Sequence, residues 1–248
     1  MKPLFITGIG TGVGKTLVSA IVAEALGACY WKPVQAGYEE GTDTQWIAAR
    51  LSHPWARVLP EAYKLKLPAS PHIAAREEGV VISLEEIESQ FHALRSGLPV
   101  LPGQSDPRVE GLPGWSAPAA GEYFVIEGAG GLMVPLNDRE FMVDLIKKLD
   151  ARVILVSRNY LGSINHSLLT AAVCKEHGLD IVGWIFNDQY LDYEREICDW
   201  SGYRKIGSIP FDARPDKQFV SEQGKKIRTS LLFQLEMNRT GIPRSASS

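Results

Sequence analysis

The sequence predicts an α/β domain built on a mostly parallel sheet, with helices on both faces. Three observations lead there. Short apolar runs alternate with helical patterns over most of the 248 residues. The runs are nearly continuous in Val, Ile and aromatics, as strands covered on both faces are. A glycine-rich turn also follows the first run directly and opens a helix, the connection expected between parallel strands.

The expected strands are "LFIT", "CYWKPV", "YFVIEG", "RVILVS" and "IVGWIF". Helical patterns fall at 16–27, 43–51, 84–95, 141–149 and 164–177, with a last helix around 218–235 that packs back on the core. Residues 97–121, dense in Gly and Pro, read as a long loop insertion, and 238–248 as an unstructured tail. One domain over residues 1–237 is therefore expected.

Composition narrows the function classes. Hydrophobic residues at 45% and charged residues at 22% are ordinary for a soluble protein. A net charge of −3 gives no reason to expect nucleic acid or an anionic membrane as partner. No apolar run approaches the roughly 18 residues of a membrane span, and the N-terminus reads as a first strand rather than a signal peptide. Cys29, Cys174 and Cys198 lie far apart without CxxC spacing, which argues against zinc and disulfides and for a reducing cytoplasm.

The chemistry begins at "GIGTGVGKT", residues 8–16. Glycines there let backbone N–H groups converge on phosphate oxygens, and the helix start adds partial positive charge. Lys15 can reach the β- and γ-phosphates, and the Thr16 hydroxyl can ligate magnesium. The domain is thus of the P-loop NTPase type. Counting back five from Gly14 lands on Ile9, and the next glycine, Gly8, makes the loop one residue longer than the standard spacing. It resembles the loop of partition and septum-site ATPases, but Gly10 stands where those carry a lysine.

Three further features point to a site. Lys32, in "WKPVQAG", falls at the C-terminal end of a strand, where open α/β sheets place their ligands, and Pro33 turns the chain across it. Asp43 stands at a helix start, where the residues alone favour a cap over a magnesium ligand. Glu127 ends the strand "YFVIE" and precedes "GAGG", the usual place for a second magnesium anchor, with glycines that leave room for substrate.

Together, "TGIGTGVGKT", "KPVQAG", "SPHIAAREEG", "VIEGAGGLMVPL", "LGSINHSLLT" and "GWIFND" resemble the dethiobiotin synthetases, ATP-dependent enzymes of biotin biosynthesis. The order of these stretches matches the family up to about Pro210, and the combination of "KPVQ", "EGAGG" and "INH" is specific. The resemblance implies joining of carbon dioxide to 7,8-diaminopelargonic acid through a carbamate and a carbamic–phosphoric anhydride, with ATP going to ADP and phosphate. It implies Lys32 as catalytic lysine beside Lys15 and Thr11, and Thr16, Asp43 and Glu127 around magnesium, which reverses the capping preference for Asp43.

The same resemblance implies ATP contacts along Gly12, Val13, Gly14, Lys15, Thr16 and Leu17, and at Gly128, Ala129 and Gly130. Asn187 and Asp188 match the purine-contacting pair, and Pro210, Phe211 and Asp212 the second base-side wall. Thr11, Lys32, Ala36 and Gly130 would line the diamine. Leu161, Gly162 and Asn165 resemble the segment that receives the substrate carboxylate from a neighbouring subunit, which implies a homodimer. His166 reads as a structural hydrogen-bonder at a helix start.

The chain departs from the pattern at Ala36, where many members carry a hydroxyl residue, and in the length of 97–121. Gly10 and Gly12 replace residues that are acidic in some members, though an all-glycine loop also fits. A switch-type partition ATPase explains the loop but neither "KPVQAG" nor "INH". A cobyrinic-acid-type ligase would need a glutaminase domain for which no length remains after residue 210. A relative that binds nucleotide without turnover has only Ala36 in its favour.

Overall fold

The chain folds around seven parallel strands in the order β4-β2-β6-β1-β7-β8-β9. In this computed structural model the described residues are 1–52, 58–96, 123–188 and 191–237. The expected 97–121 insertion and 238–248 tail lie outside them. The strands are β1 (Leu4–Gly8), β2 (Cys29–Trp31), β4 (Val58–Leu59), β6 (Phe124–Glu127), β7 (Arg152–Arg158), β8 (Ile181–Asn187) and β9 (Lys205–Ile209). The five strands expected from the sequence are the five inner ones.

Alternation along each strand divides the core in two. Leu4 and Ile6 of β1, Tyr30 of β2 and Val125 of β6 face α1 (Lys15–Leu26) and α8 (Lys217–Met237). Phe5, Trp31, Phe124 and Ile126 face the opposite layer of α4 (Leu84–Ser96), α5 (Met142–Lys148), α6 (Ser163–Glu176) and α7 (Glu194–Ser201). Helices thus cover both faces, as expected. Among the described residues no helix is long and apolar enough to cross a membrane.

The expected strand "CYWKPV" is broken. Proline cannot donate to a ladder, and at Pro33 the chain leaves the main sheet. It re-forms as β3 (Val34–Ala36), which pairs with β5 (Tyr63–Leu65) in a separate two-stranded sheet. The Pro33 carbonyl accepts from the backbone N–H of both Ala62 and Tyr63, at 2.9 Å each, and fixes the crossing. Of two short helices, α3 (Pro71–Glu77) packs on this small layer and α2 (Asp43–Ala48) against α1 and β4.

Helix α8 lies against α1, as expected for the last helix. At the crossing, a Cβ on Gly224 would stand 3.3 Å from the backbone of Ile21 and Ala25. The ends of both helices are satisfied from elsewhere in the fold. Arg228 donates to the Ala25 carbonyl near the end of α1. Arg152, at the start of β7, donates to the Leu235 carbonyl at 3.0 Å and pairs with Asp180.

Candidate active site

The ligand edge of the sheet is its C-terminal edge, and β1 delivers the phosphate loop there. The loop runs from Gly8 to Gly14, where α1 begins. At Gly14 φ is +86°, and a Cβ would come within 2.3 Å of Asn187 Nδ2, so both conformation and space require glycine. Val13 is buried beneath the loop and Leu17 is half-buried in the first turn of α1. The Lys15 ammonium curls back to donate to the Gly10 carbonyl at 2.8 Å. Burial lowers its pKa to about 8, against the opposing pull of Glu127.

Four site residues expected from the sequence meet at one point. The Thr16 hydroxyl lies 2.8 Å from Asp43 Oδ1 and 2.9 Å from Glu127 Oε1. Lys32 Nζ donates to Asp43 Oδ2, and to Glu127 Oε1 at 3.3 Å. Burial works against the charge on Lys32, but Glu127 and Asp43 outweigh it and hold the ammonium above its usual pKa. Burial likewise opposes the charge on Asp43, and Lys32 reverses this, so the carboxylate sits below its ordinary range.

The local sequence explains how Asp43 comes to be there. The cap of α2 is Thr42, whose hydroxyl accepts from Gln45 N at 3.1 Å while the Gln45 side chain accepts from Thr42 N at 3.0 Å. The capping role first favoured for Asp43 is therefore corrected. Asp43 is the first helical residue, and its carboxylate is directed to Lys32 and Thr16.

Two residues of this cluster were not anticipated. Tyr30 donates its hydroxyl to Glu127 Oε2 at 2.9 Å, and burial pushes its pKa well above the ordinary range, so it remains a donor. Gln35 accepts from Asp43 N at 3.4 Å and donates to the Gly37 carbonyl at 2.7 Å, which anchors the start of α2. Tyr30 shares a strand face with Lys32 by the two-residue period, a signal available in the sequence.

The "GAGG" turn packs closely against the phosphate loop. A Cβ on Gly128 would meet the Phe5 ring at 2.7 Å. One on Gly130, where φ is +65°, would meet Val134 Cγ2 at 2.5 Å, and one on Gly131 would stand 3.1 Å from the Gly8 carbonyl. Ala129 and Ala36 are half-buried, and Thr11 and Gly12 are exposed at the loop rim.

Asn187, at the end of β8, is brought onto the phosphate loop. Its Nδ2 donates to the Val13 carbonyl at 2.6 Å, while its buried Oδ1 has no partner among the described residues. Asp188 follows with φ +60°; its carboxylate pairs with Arg158 at 2.5 Å and its N–H donates to Ile209 O at 3.1 Å. That bond brings Pro210 and Phe211 close to Asp188, with the Phe211 ring 67% exposed, while Asp212 accepts from Arg214 N at 2.7 Å.

Leu161, Gly162 and Asn165 are not gathered into the Lys32 cluster. They are exposed at the start of α6, with Leu161 85% exposed and Gly162 as the N-cap at φ +101°. His166 Nδ1 is 2.7 Å from the Tyr160 hydroxyl, a hydrogen bond at the helix start as expected.

Hard oxygens suit a small divalent cation. Among the described residues no three His, Cys, Asp or Glu side chains form a metal-sized group. The donor set is instead two carboxylates and a hydroxyl. Thr16 has one proton to share between two carboxylate oxygens within bonding distance, so one of those contacts is better satisfied by a cation.

Comparison with known proteins places the chain. A family model described as an AAA domain matches residues 2–218. An ATP-dependent dethiobiotin synthetase from Cytophaga hutchinsonii is 42% identical over 92% of this chain and 97% of that protein. The chain belongs to the dethiobiotin synthetase family. A second dethiobiotin synthetase, from Christiangramia forsetii, is 41% identical over 93% of this chain and 98% of its own length.

Among solved structures, the septum site-determining protein MinD of Pyrococcus horikoshii OT3, complexed with Mg-ADP, aligns with a TM-score of 0.52 at 17% identity. That alignment covers 99% of this chain and 100% of the other. A ParA family ATPase from Chlorobium tepidum TLS gives 0.51 at 15% identity, over 95% and 98% of the two chains. At these identities the likeness is one of fold.

Proposed function

We propose that this chain converts 7,8-diaminopelargonic acid and carbon dioxide to dethiobiotin, with ATP going to ADP and phosphate. In a member of this family, the observation that carries the reading is the convergence of Thr16, Lys32, Asp43 and Glu127 beside the phosphate-loop Lys15.

One substrate amine adds to carbon dioxide and loses a proton, which gives a carbamate. A carbamate oxygen attacks the γ-phosphorus and ADP leaves. The second amine then attacks the carbonyl carbon of the mixed anhydride, the C–O bond to phosphate breaks, and the cyclic urea closes with loss of the amine proton. Carbamate and triphosphate are both anionic, so the chain must hold them together with positive charge. Lys15 and Lys32 supply it. Glu127 and Asp43, acting against the cost of burial, keep Lys32 charged before substrate arrives.

Thr16, Asp43 and Glu127 would hold magnesium, which would supply positive charge to offset that developing on the transferred phosphoryl group. Asn187 and Asp188, at the end of β8, would contact the purine, as the pair does in the family pattern. Thr11, Ala36 and Gly130 would line the diamine.

The reading takes residues 1–237 as one catalytic domain and the assembly as a homodimer. The exposed Leu161, Gly162 and Asn165 would face the substrate carboxylate of a second subunit. It places the protein in the cytoplasm, where ATP is abundant and thiols such as Cys174 and Cys198 stay reduced.

The test is phosphate release from ATP, magnesium and bicarbonate with and without the diamine, with the product identified by mass. Diamine-dependent release together with the cyclic urea is expected. Slow hydrolysis indifferent to the diamine would overturn the reading in favour of a switch-type ATPase.

A further inference from the structure

The Tyr30 hydroxyl is a polar atom in an otherwise apolar place. Tyr30 is 0% exposed and packs in the cluster formed by α1 and the sheet, with Ile6, Val18, Ile21 and Val125. A phenylalanine would fill that space equally well. A buried hydroxyl is costly unless it is bonded, and the partner here is Glu127 Oε2 at 2.9 Å.

The geometry of the two strands makes this bond specific to tyrosine. Tyr30 lies level with Val125 in the parallel pairing of β2 and β6, two residues below Glu127. That step is about 6.6 Å at the usual rise of a strand, and a phenol is long enough to span it. Glu127 itself is 1% exposed. Its two oxygens are divided: Oε2 takes Tyr30, and Oε1 takes Thr16 at 2.9 Å and Lys32 at 3.3 Å.

We propose that Tyr30 is a positioning residue for magnesium binding, whose hydroxyl holds Oε2 of Glu127 so that Oε1 faces Thr16 and Lys32. Without the hydroxyl, the carboxylate is free to turn about its last torsion, and one buried oxygen loses its donor. The proposal rests on the reading of Glu127 as a magnesium ligand. Supporting groups of this kind typically change metal affinity by about 10–100-fold.

The test is calorimetric titration of magnesium into the full-length protein saturated with ADP, for wild type, Tyr30→Phe, Tyr30→Met and Glu127→Gln. ADP affinity in EDTA and the melting temperature are measured alongside. The two Tyr30 variants differ in shape but both lack the hydroxyl, so one folded variant suffices. The expected result is magnesium affinity weakened about tenfold, with ADP affinity in EDTA and KM for the diamine unchanged.

Unchanged magnesium affinity in the Tyr30 variants, alongside a loss in Glu127→Gln, would overturn the role of Tyr30 alone. Unchanged affinity in Glu127→Gln would overturn the reading of Glu127, and the proposal with it. A loss of ADP affinity in EDTA equal to the loss for magnesium would show that Tyr30 only supports the fold.

Discussion

Lys32 illustrates how much of the site depends on single atoms. Its ammonium lies between Asp43 and Glu127, two carboxylates that would otherwise repel one another. Lys32→Ala is expected to keep ADP affinity within a few-fold and to lower kcat by about 10²–10³-fold, the usual cost of one group that stabilises transferred charge. Calorimetry and steady-state kinetics separate the two; near-normal turnover would remove Lys32 from the chemistry. At Gly14 the backbone conformation and the nearness of Asn187 leave no place for a methyl group. Gly14→Ala is expected to displace Asn187 from the Val13 carbonyl and weaken nucleotide binding at least tenfold, with far-UV circular dichroism unchanged. Lys15, Lys32 and Glu127 were legible in the sequence because each is fixed by its immediate neighbours: a glycine loop, a proline, a strand end. Tyr30 was not singled out, because its partner is 97 residues away along the chain.

Elements were legible to the degree that they are buried on both faces. Strands β1, β2, β6, β7 and β8 have neighbours on either side, and their sequences are continuous apolar runs. The edge strands escaped for opposite reasons. Strand β4 has only two residues, and in β9, "KIGSI", only Ile206 and Ile209 are buried, between polar residues and a glycine. Helix α7 escaped as well, since only Ile197 and Ser201 of its eight residues are buried. Helix α2 has six residues, too few to be stable alone, so its capping box sets whether Asp43 is held in place. Thr42→Ala is expected to cost about 1 kcal/mol of stability and to raise the half-saturating magnesium concentration. Urea denaturation and a magnesium titration of turnover check the two effects, and a stability loss with no change in magnesium demand would detach the cap from the site.

At the scale of the whole molecule, α8 ties the last residues of the fold to the first. Arg228 bonds to the end of α1 and Arg152 to the end of α8, and Gly224 lets the two helices approach at backbone distance. A larger residue at that crossing has to push against main chain rather than a flexible side chain. Gly224→Leu is expected to cost about 1–3 kcal/mol, a fall in melting temperature of roughly 2–12 °C for a chain of this size. Because α1 begins at Lys15, the same variant is expected to raise KM for ATP; a lowered melting temperature with unchanged KM would show that strain at the crossing does not reach the phosphate loop.

The break at Pro33 divides labour along the chain. Lys15, Thr16 and Glu127 grow from the strands and first helix of the seven-stranded sheet, whereas Ala36 stands beyond the break, in the small layer of β3 and β5. A family built on this plan can remodel one wall of what it accepts by editing the small layer alone. The engine and the mould are then inheritable separately, joined at a lysine that serves both.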